Sequence, residues 1–149
     1  MTASGFMGAP VHETSDATWD FLFDLNARTV PHACRAVVPR LLDQGAGKIV
    51  NVAAYSALRG TGLMGAYTAS KAAVLRLTEA MSEELRPRGI NVNCVLPTTI
   101  DTPENRQAMP EADSSRWVSP QALADVIAFL ASDSARGVHG AAIPVTGLA

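Results

Sequence analysis

Tyr67 and Lys71 stand four residues apart in the run Tyr67-Thr68-Ala69-Ser70-Lys71. In a helix, that spacing places the two side chains one above the other on one face. A free phenol ionises near pH ~10, too high to exchange protons readily at neutral pH. A cation held within a few ångströms favours the phenolate, and a tenfold change in the acid constant corresponds to about 1.4 kcal/mol. A tyrosine so placed can give a proton to a carbonyl oxygen or take one from an alcohol. Tyr–Lys pairs at this spacing also occur as plain structural neighbours, so the surroundings must decide.

Those surroundings have a clear order. Tyr67 to Arg86 is rich in Ala, Leu and Glu and reads as one long helix, closed by Pro87 and Gly89. Before it, Lys48 to Ala54 is a short β-branched run suited to a buried strand, followed by a loop with Gly60, Gly62 and Gly65. After it, Ile90 to Leu96 reads as the next strand, ended by Pro97. Strand, long helix and strand predict a right-handed βαβ unit with parallel strands.

Upstream, Met1 to Thr14 has no clear period and reads as a loop. Ser15 or Asp16 can cap a helix whose apolar stripe is Trp19, Leu22 and Phe23. The pattern resumes with Val30, Ala33, Cys34, Val37, Val38 and Leu41, interrupted by Pro31 and Pro39. Pro31 fits a first helical turn, so either two segments meet near Asn26 to Thr29 or one helix kinks there. Gly45-Ala46-Gly47 ends it. Downstream, residues 98–118 read as an irregular, mobile loop. Ser119-Pro120 opens a helix buried through Leu123, Val126, Ile127 and Leu130. Gly137 to Gly140 turns the chain into a short last strand, Ala141 to Val145, which Pro144 assigns to a sheet edge.

Bulk properties narrow the function. At 149 residues, 48% hydrophobic and 17% charged, the chain predicts a single globular domain. A net charge of −2 without a basic run argues against a nucleic-acid partner. Cys34 and Cys94 read as small buried residues in a reducing compartment. His12, His32 and His139 are scattered without metal-ligand spacing, so no metal site is expected. Neither a signal peptide nor a run of ~20 apolar residues is present, which predicts a cytoplasmic protein without a membrane partner.

These pieces in this order resemble the C-terminal portion of the short-chain dehydrogenase/reductase family. Asn26 follows Leu25 as the family's helix asparagine does, and Tyr67 and Lys71 match its Tyr-x-x-x-Lys motif. Pro97-Thr98-Thr99-Ile100-Asp101-Thr102 matches its Pro-Gly-x-Ile-x-Thr segment, with Thr98 in place of glycine. The resemblance implies a single partial domain of α/β class over residues 1–149, a doubly wound, Rossmann-like parallel sheet with three recognisable strands flanked by helices. It further implies an NAD(P)-dependent oxidoreductase acting on a small molecule. Tyr67 would be the proton donor or acceptor. Lys71 would lower its pKa and hold the ribose of the cofactor. Asn26 would anchor a water in the proton relay. Pro97, Thr98, Ile100 and Thr102 would line the nicotinamide, with Thr102 on its carboxamide. The family pairs subunits through two long helices, here the Asn26 to Asp43 region and Tyr67 to Arg86, so a homodimer or homotetramer is expected. Small or apolar residues on more than one side of the second helix support a second buried face.

Two departures qualify this. The family's catalytic serine lies thirteen residues before the tyrosine, and that position is Ala54 here. Losing one such donor can cost about 3 kcal/mol of transition-state stabilisation. Ser56 would face the same side if the strand continued, and either replaces that hydroxyl or is a loop serine without a role. The family's glycine-rich phosphate loop is also missing: Gly5 and Gly8 precede Pro-Val-His-Glu rather than a helix. The chain therefore reads as an N-terminally truncated member, inactive alone and binding NAD or NADP only in a longer form. Its Met109-Pro110-Glu111-Ala112-Asp113 and Trp117 loop, with Ala54, resembles that of dihydropteridine reductase, which reduces a quinonoid ring. The alternatives are a non-catalytic remnant that keeps the oligomerisation helices, and an unrelated α/β binding module.

Overall fold

The structure, a computed structural model, describes residues 7–148. The first part of the predicted N-terminal loop, with Gly5, lies outside the described residues. The helices are α1 (Asp16–Phe23), α2 (Thr29–Gln44), α3 (Gly65–Leu85), α4 (Pro103–Ala108) and α5 (Pro120–Ala131). The strands are β1 (Gly47–Val52), β2 (Ile90–Pro97) and β3 (Ala142–Val145). They form one parallel sheet in the order β1-β2-β3. Gly47 is opposite Ile90 and Val52 opposite Val95, while Cys94 is opposite Ala142 and Pro97 opposite Val145. Pro144 falls on an edge strand, where its missing N–H costs no ladder bond.

Alternation along β2 separates two cores. Val95 packs with Val118, Leu123, Leu130, Ala135 and Val145 on the α5 side. Cys94 and Leu96 meet Ala53 and Val74 of α3 on the other, and Ile90 and Val92 meet Leu85. The sheet is thus covered on both faces, which explains why β2 is buried throughout. Asn91 and Asn93, polar but buried, tie down the turn before β3. Asn91 Nδ2 donates to the carbonyls of Arg136 and Val138 at 3.0 and 2.9 Å. Asn93 donates to the Val138 carbonyl at 2.9 Å and accepts from the Ala141 N–H at 2.9 Å.

Helix ends follow the local chemistry. Ser15 accepts from the Thr18 N–H at 3.2 Å, and Ser119 from the Ala122 N–H at 3.1 Å. Gly45 ends α2 in the left-handed region at φ 69°. Of the two options for residues 26–29, the structure has one continuous helical run from α1 into α2. It is widened by a π-turn at Asp24–Arg28 that contains Asn26. The span from 98 to 118 is more ordered than expected. It holds α4, a 3₁₀ turn at Ser114–Arg116 and a bridge between Ile100 and Val118.

Candidate active site

The first turn of α3 is set by the chain before it. Leu63 lies in the left-handed region at φ 64°, unusual for a non-glycine residue, and its carbonyl accepts the Ala9 N–H at 2.8 Å. At Gly65 a Cβ would run into the side chain of Val11. Two turns of backbone thereby meet closely just ahead of Tyr67. Because α3 leaves the carboxyl end of β1 and returns to the amino end of β2, Tyr67 and Lys71 stand at the carboxyl ends of the strands. Open α/β sheets bind ligands there.

Both side chains are half-buried, and the Lys71 ammonium lies 6.0 Å from the centroid of the Tyr67 ring. Burial pushes the Tyr67 phenol above its ordinary value. The expected drop caused by a neighbouring cation is not found, because desolvation of the phenolate decides the direction. Burial likewise lowers Lys71, and Cys94 beneath it offsets part of that change. Cys94 is fully buried and raised by burial, opposed by the Ala53 backbone, the Thr78 hydroxyl and Lys71. Thr78 donates to the Val74 carbonyl and accepts from Asn51 Nδ2, each at 2.9 Å. Lys71, Val74 and Thr78 form one stripe of α3, and Asn51 and Cys94 are opposite one another on the strands below. A polar floor thus runs under the lysine.

Asn26 reaches the same helix. Its Nδ2 donates to Ser70 Oγ at 3.1 Å, and Ser70 donates to the Tyr67 carbonyl at 2.7 Å. Sequence reasoning singled out Asn26, Tyr67 and Lys71 but passed over Ser70; a hydroxyl amid alanines on a buried helix was the available signal. Ala54 is 8% exposed, at the end of the extended chain. Ser56 does not follow the strand alternation, because β1 ends at Val52 and residues 55–58 coil into a 3₁₀ turn. It lines a separate recess of about 250 Å³ with Leu58, Thr68, Ala69 and Ala72, whose walls include neither Tyr67 nor Lys71.

The segment after β2 lies across the same end of the sheet. Pro97 is buried, and Thr98 donates to the Thr146 carbonyl at 3.0 Å. Thr102 caps α4 by accepting the Asn105 N–H at 3.2 Å, which leaves its own proton to donate. Ile100 is half-buried at the bridge to Val118. Arg106 grips Asp101 through two bonds of 2.6 and 2.9 Å and holds its carboxyl below the usual range. Among the described residues no three His, Cys, Asp or Glu side chains gather as a metal set, and no helix is long and apolar enough to cross a membrane.

A phenol and an ammonium at the carboxyl end of a doubly wound parallel sheet are groups that can exchange a proton, on a nucleotide-binding type of fold. The family model for enoyl-(acyl carrier protein) reductase matches residues 1–147. Cyclopentanol dehydrogenase of Comamonas sp. (strain NCIMB 9872) is 36% identical over 93% of this chain and 59% of its own length. The 2-(R)-hydroxypropyl-CoM dehydrogenase of Xanthobacter autotrophicus is 35% identical over 92% of this chain and 59% of its own. Carveol dehydrogenase from Mycobacterium avium, solved with NAD, superposes with a TM-score of 0.86 at 30% identity, over 96% of this chain and 60% of that one. This chain belongs to the short-chain dehydrogenase/reductase family. It spans about three fifths of the length of the relatives it matches.

Proposed function

We propose that this chain carries the proton-transfer half of an NAD(P)-dependent oxidoreductase. The observation that carries the reading is the pairing of Tyr67 with Lys71, 6.0 Å from nitrogen to ring centroid, at the carboxyl end of the sheet. The donor set fits a nicotinamide riboside: Lys71 would hold the ribose hydroxyls, and Pro97, Thr98, Ile100 and Thr102 would line the ring. Bound there, the nicotinamide supplies or accepts the hydride. The chain's own residues handle the proton. Tyr67 gives its phenolic proton to the substrate oxygen, Lys71 stabilises the phenolate that results, and Asn26 holds the relay that restores the proton. A phenol raised by burial keeps its proton at neutral pH, which suits donation and hence reduction.

Ala54 supplies no hydroxyl, so Tyr67 stands without the serine donor. This favours acceptors whose developing charge is delocalised, such as a quinonoid ring, over a simple ketone. No glycine-rich phosphate loop precedes a helix in these residues, so turnover requires a longer form that contains one. A second copy of the chain fits the groove of about 340 Å³ between α2 and α3, lined by Val30, Cys34, Val38, Leu77 and Met81.

The test is NADH and NADPH oxidation by a form extended with the N-terminal portion of a relative. Carbonyl and quinonoid acceptors are assayed beside Tyr67→Phe. The expected outcome is a loss of most activity in the phenylalanine variant. Full activity there would refute the reading and favour a non-catalytic role for the helices.

A further inference from the structure

We infer that Ser70 is a positioning residue, whose hydroxyl locks the π-turn carrying Asn26 to the helical turn carrying Tyr67 and Lys71. The inference rests on the reading of Tyr67 and Lys71 as the reactive pair. A serine bonded to the carbonyl three residues back is common in helices and is by itself local structure. Here the same oxygen also accepts from Asn26, on another element 44 positions away. Ser70 is fully buried, so no water replaces either bond.

The polarity leaves one arrangement. The Asn26 amide nitrogen only donates, so Ser70 Oγ accepts through a lone pair. Its single proton then goes to the Tyr67 carbonyl at 2.7 Å. Amide, hydroxyl and carbonyl form a directed chain, and deleting the hydroxyl breaks both links. What it holds is not regular helix. The π-turn Asp24–Arg28 interrupts the i→i+4 pattern, a local departure found mostly as a single turn at functional sites. It packs against α3. Ala27 and the nearby Leu22 are buried there, while Asp24 and Arg28 pair with each other in solvent at 2.6 Å. Ser70 supplies a directional bond between the two elements beside the apolar burial of Leu22 and Ala27, which by itself tolerates sliding.

Lys71 is the next residue, on the turn of α3 that the Asn26–Ser70 bond fixes to the π-turn. Loosening the turn admits water and moves the ammonium back toward ordinary lysine behaviour. The titratable groups facing it are Tyr67 on α3 and Cys94 on β2, and the variants below alter neither.

The chain has two lysines, Lys48 and Lys71. Carbon-13 labelled lysine therefore gives two ε-carbon signals, and Lys48→Arg assigns them. Titrations compare the parent with Ser70→Ala, Asn26→Ala and the double variant. Each single change is expected to move the Lys71 midpoint upward, and the double no further than the larger single, since both cut one chain. In the extended, active form Ser70→Ala is expected to lower kcat about tenfold with KM nearly unchanged. A Lys71 midpoint unmoved in Ser70→Ala, or single changes that simply add, would overturn the inference. Should Ser70→Ala fail to fold, Asn26→Ala alone decides: an upward move supports the lock and an unmoved midpoint refutes it. The titration needs no turnover, so an active Tyr67→Phe would sink the proposed function without touching this result.

Discussion

Thr78→Val probes the polar floor beneath the lysine. Thr78 is fully buried, and its hydroxyl bridges Asn51 Nδ2 and the Val74 carbonyl at 2.9 Å each. Valine keeps the shape and removes the oxygen. The Val74 carbonyl retains its helical partner, so that loss is under ~1 kcal/mol. Asn51, half-buried, loses its amide partner, worth about 1 kcal/mol at the low end of the range for a stranded donor. The extra methyl returns at most ~0.8 kcal/mol. The net is about 1 kcal/mol of destabilisation, or roughly 3 °C in Tm for a domain of this length. Scanning calorimetry measures it directly. The double variant Asn51→Val with Thr78→Val is expected to recover much of the loss, because the half-buried donor is removed together with its acceptor. An unchanged Tm in Thr78→Val, or a double variant as unstable as the sum of the two singles, would refute the bridge.

Three further outcomes are expected. In a Tyr55→Phe background Tyr67 is the chain's one phenol, and its absorbance titration should fall above pH ~10. Because the unfolded chain loses that proton first, the Tyr67 contribution to stability is intact below pH ~10 and is lost as pH rises through the folded value. Lys71 has the opposite sign, its contribution increasing with pH from its lowered folded value to about 10.4; a Tyr67 midpoint at or below 10 would contradict burial as the dominant influence. Ala54→Ser in the extended form should raise kcat/KM for a simple ketone about a hundredfold and change a quinonoid acceptor far less, and equal gains would remove the argument from the missing hydroxyl. Leu77→Lys, in the α2–α3 groove, should shift the mass by light scattering from dimer or larger to monomer, whereas an unchanged mass would place association elsewhere.

Much of the frame was legible because it follows from backbone chemistry. Gly45 and Gly89 stop helices where their left-handed φ allows it, and Ser119-Pro120 starts one. β-branched runs at Ile49 and Ile90 became strands within a residue or two of the expected ends. Asn26, Tyr67 and Lys71 of the candidate site were picked out by motif, but what joins them was not legible. No periodicity distinguishes a π-turn from a kink, so sequence alone does not define the geometry around Asn26. Ser70, Thr78 and Asn51 are ordinary polar residues in sequence, and their meaning lies in partners 44 and 27 positions away. The direction in which the Tyr67 phenol moves was misjudged because spacing gives proximity to Lys71 but not the depth of burial. Strand alternation is no guide to Ser56, because the strand ends four residues earlier.

The two margins of the sheet differ in how they resist growth. The outer strand β3 carries Pro144, which has no N–H to offer and breaks any ladder laid against it. Among the described residues nothing similar guards β1. Its one lysine is turned away from the margin by a 2.8 Å bond to Asn91, and Val52 is left 46% exposed beside it. Any strand added to this sheet must therefore arrive from one direction. Two copies that met through it would join β1 to β1 and leave only proline-guarded β3 margins outside, so association through the sheet closes as a pair instead of growing into a fibre. A short extended peptide that covers β1 would compete for the same margin and leave the sheet with no open side.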